Sequence, residues 1–580
     1  QKESYQYERE KASWPKSEDD MRDLWRQRIK NDWLRLKLAG KDDKSISDTL
    51  DKRYNNYLTR IAKLKSDDVF QIFMNAYATS IEPHTNYLGP KASENFDIAM
   101  KLSLVGIGAV LQEKDEYTTI RELVPGGPAA LSGKLKIGDR IVGIRQGEKG
   151  AMTEVLGWRL DDTGALIRGA VDSIVSLDVF PADAGPDGKH KLVSLTRKKI
   201  NLEQQAAKKS IINVKNGNAT LRIGVISLPT FYQDFSARQK GDKNFKSATR
   251  DVSRLLAELK KDKVDSVLID LRNNGGGSLS EAIELTGLFI DKGPVVQQRD
   301  AQCKVRLESD THAGVAWDGP LGVLINRGSA SASEIFAAAV QDYGRAVVIG
   351  EPSFGKGTVQ TLVNLDQIAH NSKAKFGELK MTIAQFFRIN GGTTQLRGVT
   401  PDIHLPSITD TERFGESSYD NALPWAPITA AEFTPAGDLT DLLPMLQALH
   451  ETRIAQDKDF QYLREDIAEF NMQRKKNVIS LNESERRKER DAQEARIKSR
   501  EKNGDAEKIT NDKTISKEKP ATLKRISLQD DGLQADERTL SIELADEKAR
   551  KNAKDVLLNE AVHMLGDEVG LVKTRTALGA

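Results

Sequence analysis

The middle of the chain alternates between short apolar runs and longer segments with helical spacing. The runs at 267–270, 321–325 and 346–349 have the length and the aliphatic content of buried strands. The segment at 247–259, before the first of these runs, and the segment at 332–340, between the second and the third, have a composition and an apolar spacing that predict helices. Strands that alternate with helices in this way predict an α/β core, which we place at residues 203–405.

The 580 residues are too many for one hydrophobic core. Apolar residues recur at three- and four-residue spacing near the start of the chain, whereas 97–202 shows short β-rich runs separated by turns. The segment 483–503 is dense in Arg, Lys and Glu and predicts either a solvated helix or a disordered arm. The predicted fold is multidomain α+β, with a helical N-terminal domain (1–96), a small β-rich domain (97–202), the α/β core (203–405) and a helical, charged C-terminal domain (406–580).

Bulk composition argues against several classes of protein. The 87 basic and 85 acidic residues leave a net charge of +2, which gives no overall attraction to nucleic acid or anionic membranes. No apolar stretch is long enough to span a bilayer. The single cysteine, Cys303, cannot form an intramolecular disulfide, and no Cys/His cluster predicts a metal site. We therefore expect no cofactor, no nucleic-acid partner and no membrane span.

A serine cluster, Ser329, Ser331 and Ser333, lies between the predicted strand at 321–325 and the predicted helix at 332–340. A serine at a strand-to-helix turn sits beside unpaired backbone N–H groups and the positive end of the helix dipole. These are the requirements of a nucleophile whose attack creates an oxyanion. An ordinary helix N-cap, with Glu334 completing a capping box from Ser331, explains the same pattern.

Lys356 lies between two glycines, in the segment 350–358, which nearly matches a phosphate-binding loop. That alternative fails because Gly357 takes the place of the Mg²⁺-binding hydroxyl and because a β-like run, not a helix, follows. A buried lysine would have a lowered pKa and could take the proton of a serine. A solvent-exposed turn lysine is the other interpretation.

Three glycines, Gly275, Gly276 and Gly277, lie in the loop that follows the predicted strand at 267–270. Their N–H groups could line an oxyanion hole, although a flexible turn would need the same residues. None of the seven histidines lies in a motif beside the serine cluster, so a histidine-based triad is not predicted.

Taken together, these stretches resemble the tail-specific protease family, also called the C-terminal processing proteases. Ser331 and Lys356 are 25 residues apart, which is the family's spacing. The resemblance covers roughly residues 1–475 and is greatest to the large periplasmic form of Gram-negative bacteria. The matching motifs, in the family's order, are Val105-Gly106-Ile107-Gly108, Gly126-Gly127-Pro128-Ala129-Ala130, Gly138-Asp139-Arg140-Ile141, Ile269-Asp270-Leu271-Arg272-Asn273-Asn274-Gly275-Gly276-Gly277, 329–335, Gly355-Lys356-Gly357-Thr358-Val359-Gln360 and Gly398-Val399-Thr400-Pro401-Asp402.

The resemblance implies a role for each matching residue. Ser331, chosen among the three serines by the family spacing, would be the nucleophile and Lys356 the general base. Gln360 would orient the lysine, and the N–H groups of Gly277 and Ala332 would form the oxyanion hole. The segment 97–202 would be a PDZ domain, in which the loop of Val105, Gly106, Ile107 and Gly108 binds the terminal carboxylate of a substrate.

The family also implies a setting. Its large form cleaves proteins with unstructured apolar C-termini and works on cell-envelope proteins in the periplasm, either free or peripheral to the inner membrane. It acts with a tetratricopeptide-repeat lipoprotein adaptor, and it begins with a signal and further helical sequence, so we expect this chain to start inside its first domain. The main alternative is a PDZ binding module on a catalytically inactive core.

Overall fold

A computed structural model describes residues 3–184, 188–370, 375–410, 412–511 and 530–579. The first region is helical, and its longest helix begins where Ser17 accepts a hydrogen bond from the N–H of Asp20. The third helix ends at Ile81, where the helical pattern of the sequence also ends. The elements are β1 (Ser4–Tyr5), α1 (Glu18–Leu38), α2 (Asp43–Ala62), α3 (Ser66–Ile81), β2 (Asn86–Leu88) and α4 (Pro90–Lys101).

The β-rich region that follows forms an antiparallel sheet with the order β4-β5-β6-β8-β9, and β7 pairs with β6. Its core contains Ile120, Ile141, Val175 and Leu177, which are at most 1% exposed. The elements are β3 (Ser103–Gly106), β4 (Ala109–Lys114), β5 (Tyr117–Leu123), α5 (Pro128–Ser132), β6 (Arg140–Gln146), β7 (Met152–Glu154), α6 (Leu160–Ile167), β8 (Ile174–Phe180), β9 (Lys191–Thr196) and β10 (Lys198–Asn201).

The α/β region contains a six-stranded sheet with the order β11-β12-β13-β16-β17-β20, in which all neighbours except β11 and β12 are parallel. The predicted strand at Leu321–Ile325 is found at those residues, and the predicted helix at 332–340 is two residues longer. The elements are β11 (Lys208–Asn216), β12 (Ala219–Ser227), α7 (Phe235–Gln239), α8 (Ala248–Lys261), β13 (Ser266–Asp270), α9 (Leu279–Gly287), β14 (Gly293–Asp300), β15 (Val305–Asp310), β16 (Leu321–Ile325), α10 (Ala332–Asp342), β17 (Val347–Gly350), β18 (Thr358–Asn364), α11 (Leu365–Ile368), β19 (Glu378–Phe387) and β20 (Ile403–His404).

The last region is mainly helical and contributes to the core of this sheet. Its elements are α12 (Leu442–Gln456), α13 (Lys458–Lys476), β21 (Ile479–Ser480), α14 (Glu483–Asn511), α15 (Leu540–Lys551) and α16 (Val556–Gly579). The charged segment 483–503 therefore forms a helix rather than a disordered arm. Residues 512–529 of the predicted C-terminal domain lie outside the described residues. None of the described helices has the length and apolar content that crossing a membrane requires.

Both faces of the six-stranded sheet are covered. Val267 and Ile269 of β13 belong to a hydrophobic cluster that includes residues of α8, α9 and α10, whereas Leu268 belongs to a second cluster, with residues of α12 and α16. This alternation explains why the strand is apolar at every position, as is typical of a strand buried on both faces.

A second sheet, with the order β15-β14-β19-β18, lies beside the first, and the N-terminal strand β2 joins it. In this pairing Asn86 of β2 lies opposite Lys380 of β19. The N-terminal region is therefore built into the sheet that carries Gln360 on β18. This connection brings Glu82, just after α3, close to Gln360, with Thr382 of β19 between them.

Candidate active site

Ser331 lies at the turn between β16 and α10, in a strained backbone conformation. Its φ is +56° and its ψ is −113°, which is unusual for a residue other than glycine. The strain is held by a hydrogen bond of 2.7 Å from the Ser331 N–H to the Glu334 carboxylate and by one of 3.0 Å from the Ala330 N–H to the Asn274 carbonyl. Such strain persists only where the surrounding contacts fix it, and it is commonest at functional sites.

The three serines of the cluster differ in their environments. Ser329 donates a hydrogen bond of 2.8 Å to the Leu271 carbonyl, and Ser333 donates one of 2.8 Å to the Asn274 carbonyl. Both serines are fully buried, whereas Ser331 is partly exposed. The hydroxyl of Ser331 faces Lys356, with 3.4 Å between Oγ and Nζ. Of the three, Ser331 thus combines access from solvent with a basic neighbour.

One buried carboxylate, that of Glu334, holds both sides of the site. Besides the Ser331 N–H it accepts hydrogen bonds from the Gly355 N–H at 2.7 Å, the Lys356 N–H at 3.0 Å and the Ser353 hydroxyl at 2.6 Å. Burial raises the pKa of Glu334 to about 7, although these hydrogen bonds act in the opposite direction. The sequence presented Glu334 as a helix-capping residue, and its bonds to the lysine loop could not be read from that motif.

Three oxygen atoms lie within hydrogen-bonding distance of the Lys356 amine. Nζ lies 2.5 Å from Gln360 Oε1, 3.3 Å from the Thr358 carbonyl oxygen and 3.4 Å from Ser331 Oγ. The first two atoms only accept hydrogen bonds, so they take two N–H groups of a neutral amine. The remaining lone pair then points at the Ser331 hydroxyl, as proton abstraction requires.

The environment of Lys356 favours the neutral amine. Burial lowers the pKa of Lys356 to about 8, and the positive charge of Lys380 acts in the same direction. The carboxylates of Glu416, Glu334 and Glu82 oppose this shift. With this pKa, a large fraction of Lys356 is neutral in mildly alkaline solution and can accept a proton, whereas an ordinary lysine is almost entirely protonated there.

Gln360 is itself oriented by hydroxyl groups. Its Nε2 donates hydrogen bonds to Thr358 Oγ1 at 2.9 Å and to Thr382 Oγ1 at 3.0 Å. The Thr382 hydroxyl donates its only proton to Glu82 Oε2, at 2.7 Å. Thr382 can therefore only accept from Gln360, which fixes the side-chain amide with its oxygen toward Lys356. Thr382 and Glu82 were not found by sequence reasoning, because 300 residues separate them.

The glycine loop lies against the serine turn. A Cβ on Gly276 would stand 2.8 Å from the Ser331 Cβ, so only glycine fits there. The Phe231 N–H donates a hydrogen bond to the Gly276 carbonyl, and the Phe231 carbonyl accepts one from the Ser278 N–H. Because N–H groups alternate in direction along extended backbone, the N–H of Gly277 points to the opposite side. No acceptor for the N–H groups of Gly277 and Ala332 is found among the described residues. Ala332 is the first residue of α10, where an unpaired N–H is expected.

The predicted carboxylate loop lies at the start of β4. Val105 and Gly106 belong to β3, Ile107 is buried in the small domain, and Gly108 has a φ of +73°. The carbonyl of Ile107 accepts from the Ala129 N–H at 2.8 Å, and that of Gly108 from the Val124 N–H at 2.9 Å. The strand β4 is at the end of its sheet, with α6 beside it. An extended peptide could add to this edge.

Within the described ranges, no group of three or more His, Cys, Asp or Glu side chains could hold a metal ion. The loop 350–358 leads into the strand β18 and not into a helix, as the sequence predicted. The phosphate-binding interpretation is therefore not supported by the local fold.

Four family models match successive parts of the chain. They are the Tail specific protease N-terminal domain at residues 1–91, the PDZ domain at 96–179, Peptidase family S41 at 222–405 and the C-terminal domain of tail specific protease at 409–570. This order confirms the predicted fold class, with a helical domain, a PDZ domain, an α/β peptidase core and a C-terminal domain.

Solved structures with detectable likeness include the photosystem II D1 C-terminal processing protease, which is 26% identical, with 60% of this chain and 86% of that chain covered and a TM-score of 0.32. They also include the PDZ domain of a carboxy-terminal protease from Vibrio cholerae in complex with a peptide, which is 54% identical, with 17% of this chain and 100% of that chain covered and a TM-score of 0.17.

Among curated proteins, a probable CtpA-like serine protease of Staphylococcus aureus is 29% identical over 326 residues, which are 56% of this chain and 57% of that protein. The Tail-specific protease of Haemophilus influenzae is 42% identical over 492 residues, which are 84% of this chain and 68% of that protein. Identity at this level over most of both chains, together with the four matching domains, establishes to which protein family the chain belongs. The chain belongs to the tail-specific proteases and is a serine-type peptidase of peptidase family S41.

Proposed function

We propose that the chain is an endopeptidase in which Ser331 is the nucleophile, Lys356 its general base and the PDZ domain the receptor for substrate C-termini. The observation that carries the proposal is the geometry of the Lys356 amine. Two acceptor atoms occupy its N–H groups, and the third direction meets the Ser331 hydroxyl. This arrangement supports a serine and lysine pair that works without a histidine.

The reaction follows from these positions. Ser331 Oγ attacks the carbonyl carbon of the scissile bond while its proton moves to Lys356 Nζ. The oxyanion is stabilised by the N–H groups of Gly277 and Ala332. The scissile C–N bond then breaks as the protonated Lys356 gives its proton to the departing amine. An ester between Ser331 and the substrate remains. Water, activated by the neutral Lys356, then hydrolyses the ester and regenerates the serine.

The proposal includes tail recognition at the PDZ domain. An apolar, unstructured C-terminus would pair with the free edge of β4, and its carboxylate would meet the loop of Val105, Gly106, Ile107 and Gly108. Backbone pairing does not depend on side chains, so the apolar preference would come from the surface between β4 and α6. Docking would stabilise the aligned arrangement of Ser331 and Lys356.

Two unfolded reporters that differ only in a free or amidated C-terminus test this function. We expect the free-acid reporter to be cleaved at least about tenfold more efficiently, because loss of a charge-assisted hydrogen-bond network costs more than one ordinary hydrogen bond. The measurement is kcat/KM for each reporter. A short peptide that carries the cleavage sequence without a tail is the control and should be cleaved equally with either end. Equal turnover of the two long reporters would contradict tail recognition.

The hydroxyl of Thr382 provides a test of the lysine geometry. We expect Thr382→Val to lower kcat by about tenfold to a hundredfold, because Gln360 loses an acceptor and its amide can turn. Thr382→Ser keeps the hydroxyl and should restore most of the activity. The measurement is kcat and KM on the short peptide, and KM should change little. Equal rates for the valine and serine variants would show that the hydrogen bond does not orient Gln360.

Membership of the family supports the remaining parts of the proposal. The enzyme would act in the periplasm of a Gram-negative bacterium, on cell-envelope proteins, with a tetratricopeptide-repeat lipoprotein as adaptor. A binding module with an inactive core is the competing function, and it predicts tail binding without cleavage of the reporter.

A further inference from the structure

The helix α3 presents its apolar side chains to solvent. Six of its residues form what we call the α3 apolar face, namely Val69, Phe70, Ile72, Phe73, Tyr77 and Ile81, and each is between 54% and 67% exposed. At 100° per residue these positions cover about half of the helix circumference. A contiguous exposed apolar surface of this kind usually marks a binding site.

The opposite side of α3 carries Asp68, Gln71 and Asn75, and two of these attach the helix to the protein. Asn75 Oδ1 accepts a hydrogen bond of 2.9 Å from the Tyr87 N–H, and Asp68 pairs with Arg159. Ala78, at 6% exposure, is the one fully buried side chain of the helix. The helix is therefore inverted relative to an ordinary surface helix, whose apolar side faces the core. Folding of the described residues gives no reason for this arrangement.

The two ends of α3 lie at the two sites of the proposed function. At its start, Lys65 bonds to Asp162 of α6 at 2.7 Å, and α6 flanks the free edge of β4. At its end, Glu82 accepts the hydrogen bond from Thr382, which orients Gln360. The 16 residues of the helix span about 24 Å at 1.5 Å per residue. The α3 apolar face thus connects the tail-binding edge with the catalytic residues.

From this placement, and resting on the proposed function, we infer that the α3 apolar face binds the unfolded stretch of the substrate that lies between its C-terminal tail and its scissile bond. About seven extended residues cover the length of the helix, at about 3.4 Å each. Apolar side chains in that stretch would be buried against Phe73, Tyr77 and their neighbours. The face would then select substrates that are unfolded and apolar well upstream of the tail.

The composition of α3 argues against a lipid surface as the occupant. The helix contains Asp67 and Asp68 and no Lys or Arg. Helices that lie on anionic membranes carry cations along their polar side. An unfolded polypeptide needs only apolar contact and is the partner that a tail-specific peptidase holds by its end.

The test uses a double variant, Phe73→Gln with Tyr77→Gln, in the Ser331→Ala background, so that binding is measured without cleavage. Two fluorescent peptides share a free apolar tail and a spacer of about 15 residues, which exceeds the span of the helix. One spacer is rich in Leu and Val and the other in Ser and Asn. We expect the double variant to bind the apolar-spacer peptide about tenfold more weakly and the polar-spacer peptide with unchanged affinity. Met472→Gln on α13, where Met472 is 66% exposed, is the matched control and should change neither affinity.

Equal affinity of the double variant for the apolar-spacer peptide would overturn the inference, and so would an equal loss for both peptides, which would indicate disturbed tail docking. Binding of the parent protein to anionic vesicles that the double variant loses would assign the face to lipid. A smaller sedimentation coefficient in the double variant would assign it to a second copy of this chain. The same pair of substitutions in the active chain should leave kcat/KM on the short tail-free peptide unchanged. Failure of the parent chain to cleave that peptide would count against the proposed function and not against the face.

Discussion

We expect Ser331→Ala and Lys356→Met each to lower kcat/KM on an unfolded, tailed reporter by about ten-thousandfold or more, as removal of a nucleophile or its base does in other serine hydrolases. The reason is that Ser331 Oγ has no other basic partner among its described hydrogen bonds than Lys356 Nζ, at 3.4 Å. Without the amine the hydroxyl keeps its proton, and without the hydroxyl no ester forms. The double variant should be no slower than the slower single variant, because the two residues act as one unit.

The measurement is reporter cleavage together with tail binding and the unfolding temperature. Tail binding by Ser331→Ala should be unchanged. Because folding lowers the pKa of Lys356, a protonated Lys356 opposes folding near neutral pH, so Lys356→Met should unfold at the same temperature or higher. Ser329→Ala is the matched control, since its hydroxyl donates to the Leu271 carbonyl; it should lose stability and keep turnover. Cleavage that survives in Ser331→Ala would refute the assignment of the nucleophile, and tail binding without cleavage by the unsubstituted chain would favour a binding module.

Local patterns predicted the immediate frame of this site. The apolar run Leu321–Ile325 is a strand because each of its side chains is buried, and the alanine-rich segment after it is a helix. The turn between them had to present Ser331 near the helix N-terminus. That Lys356 meets Ser331 depends on β17 lying next to β16, which alternation of strands and helices does not specify. The resemblance to the family, with its 25-residue spacing between the serine and the lysine, had already implied this contact.

The outer parts of the site could not be predicted from local patterns. Thr382 and Glu82 are brought together by the pairing of β2 with β19, and strand pairing across such a distance leaves no mark on spacing. The helix α3 shows a related limit. Its apolar spacing correctly predicted a helix, yet the spacing is the same whether the apolar side meets the core or solvent, and here it meets solvent.

Cleavage of the short, tail-free peptide should rise steeply with pH, with a midpoint near the pKa of Lys356, about 8. The base works only as a neutral amine, and burial favours that form. At the midpoint half of the molecules have a neutral lysine and two pH units below it only about one in a hundred does, so the rate should fall about fiftyfold between pH 8 and pH 6. The measurement is kcat/KM across this range, with the fold monitored by tryptophan fluorescence.

Lys380 gives the control for the sign of this dependence. Its positive charge lowers the pKa of Lys356, so Lys380→Met should raise that pKa and move the midpoint to higher pH. Removal of the Glu416 carboxylate, which acts in the opposite direction, should move the midpoint to lower pH in Glu416→Gln. A midpoint that rises in Lys380→Met and falls in Glu416→Gln would show that the titrating base lies close to both side chains, as Lys356 does. A midpoint near pH 6.5 that neither variant moves would indicate a histidine base, and the lysine mechanism would then be wrong.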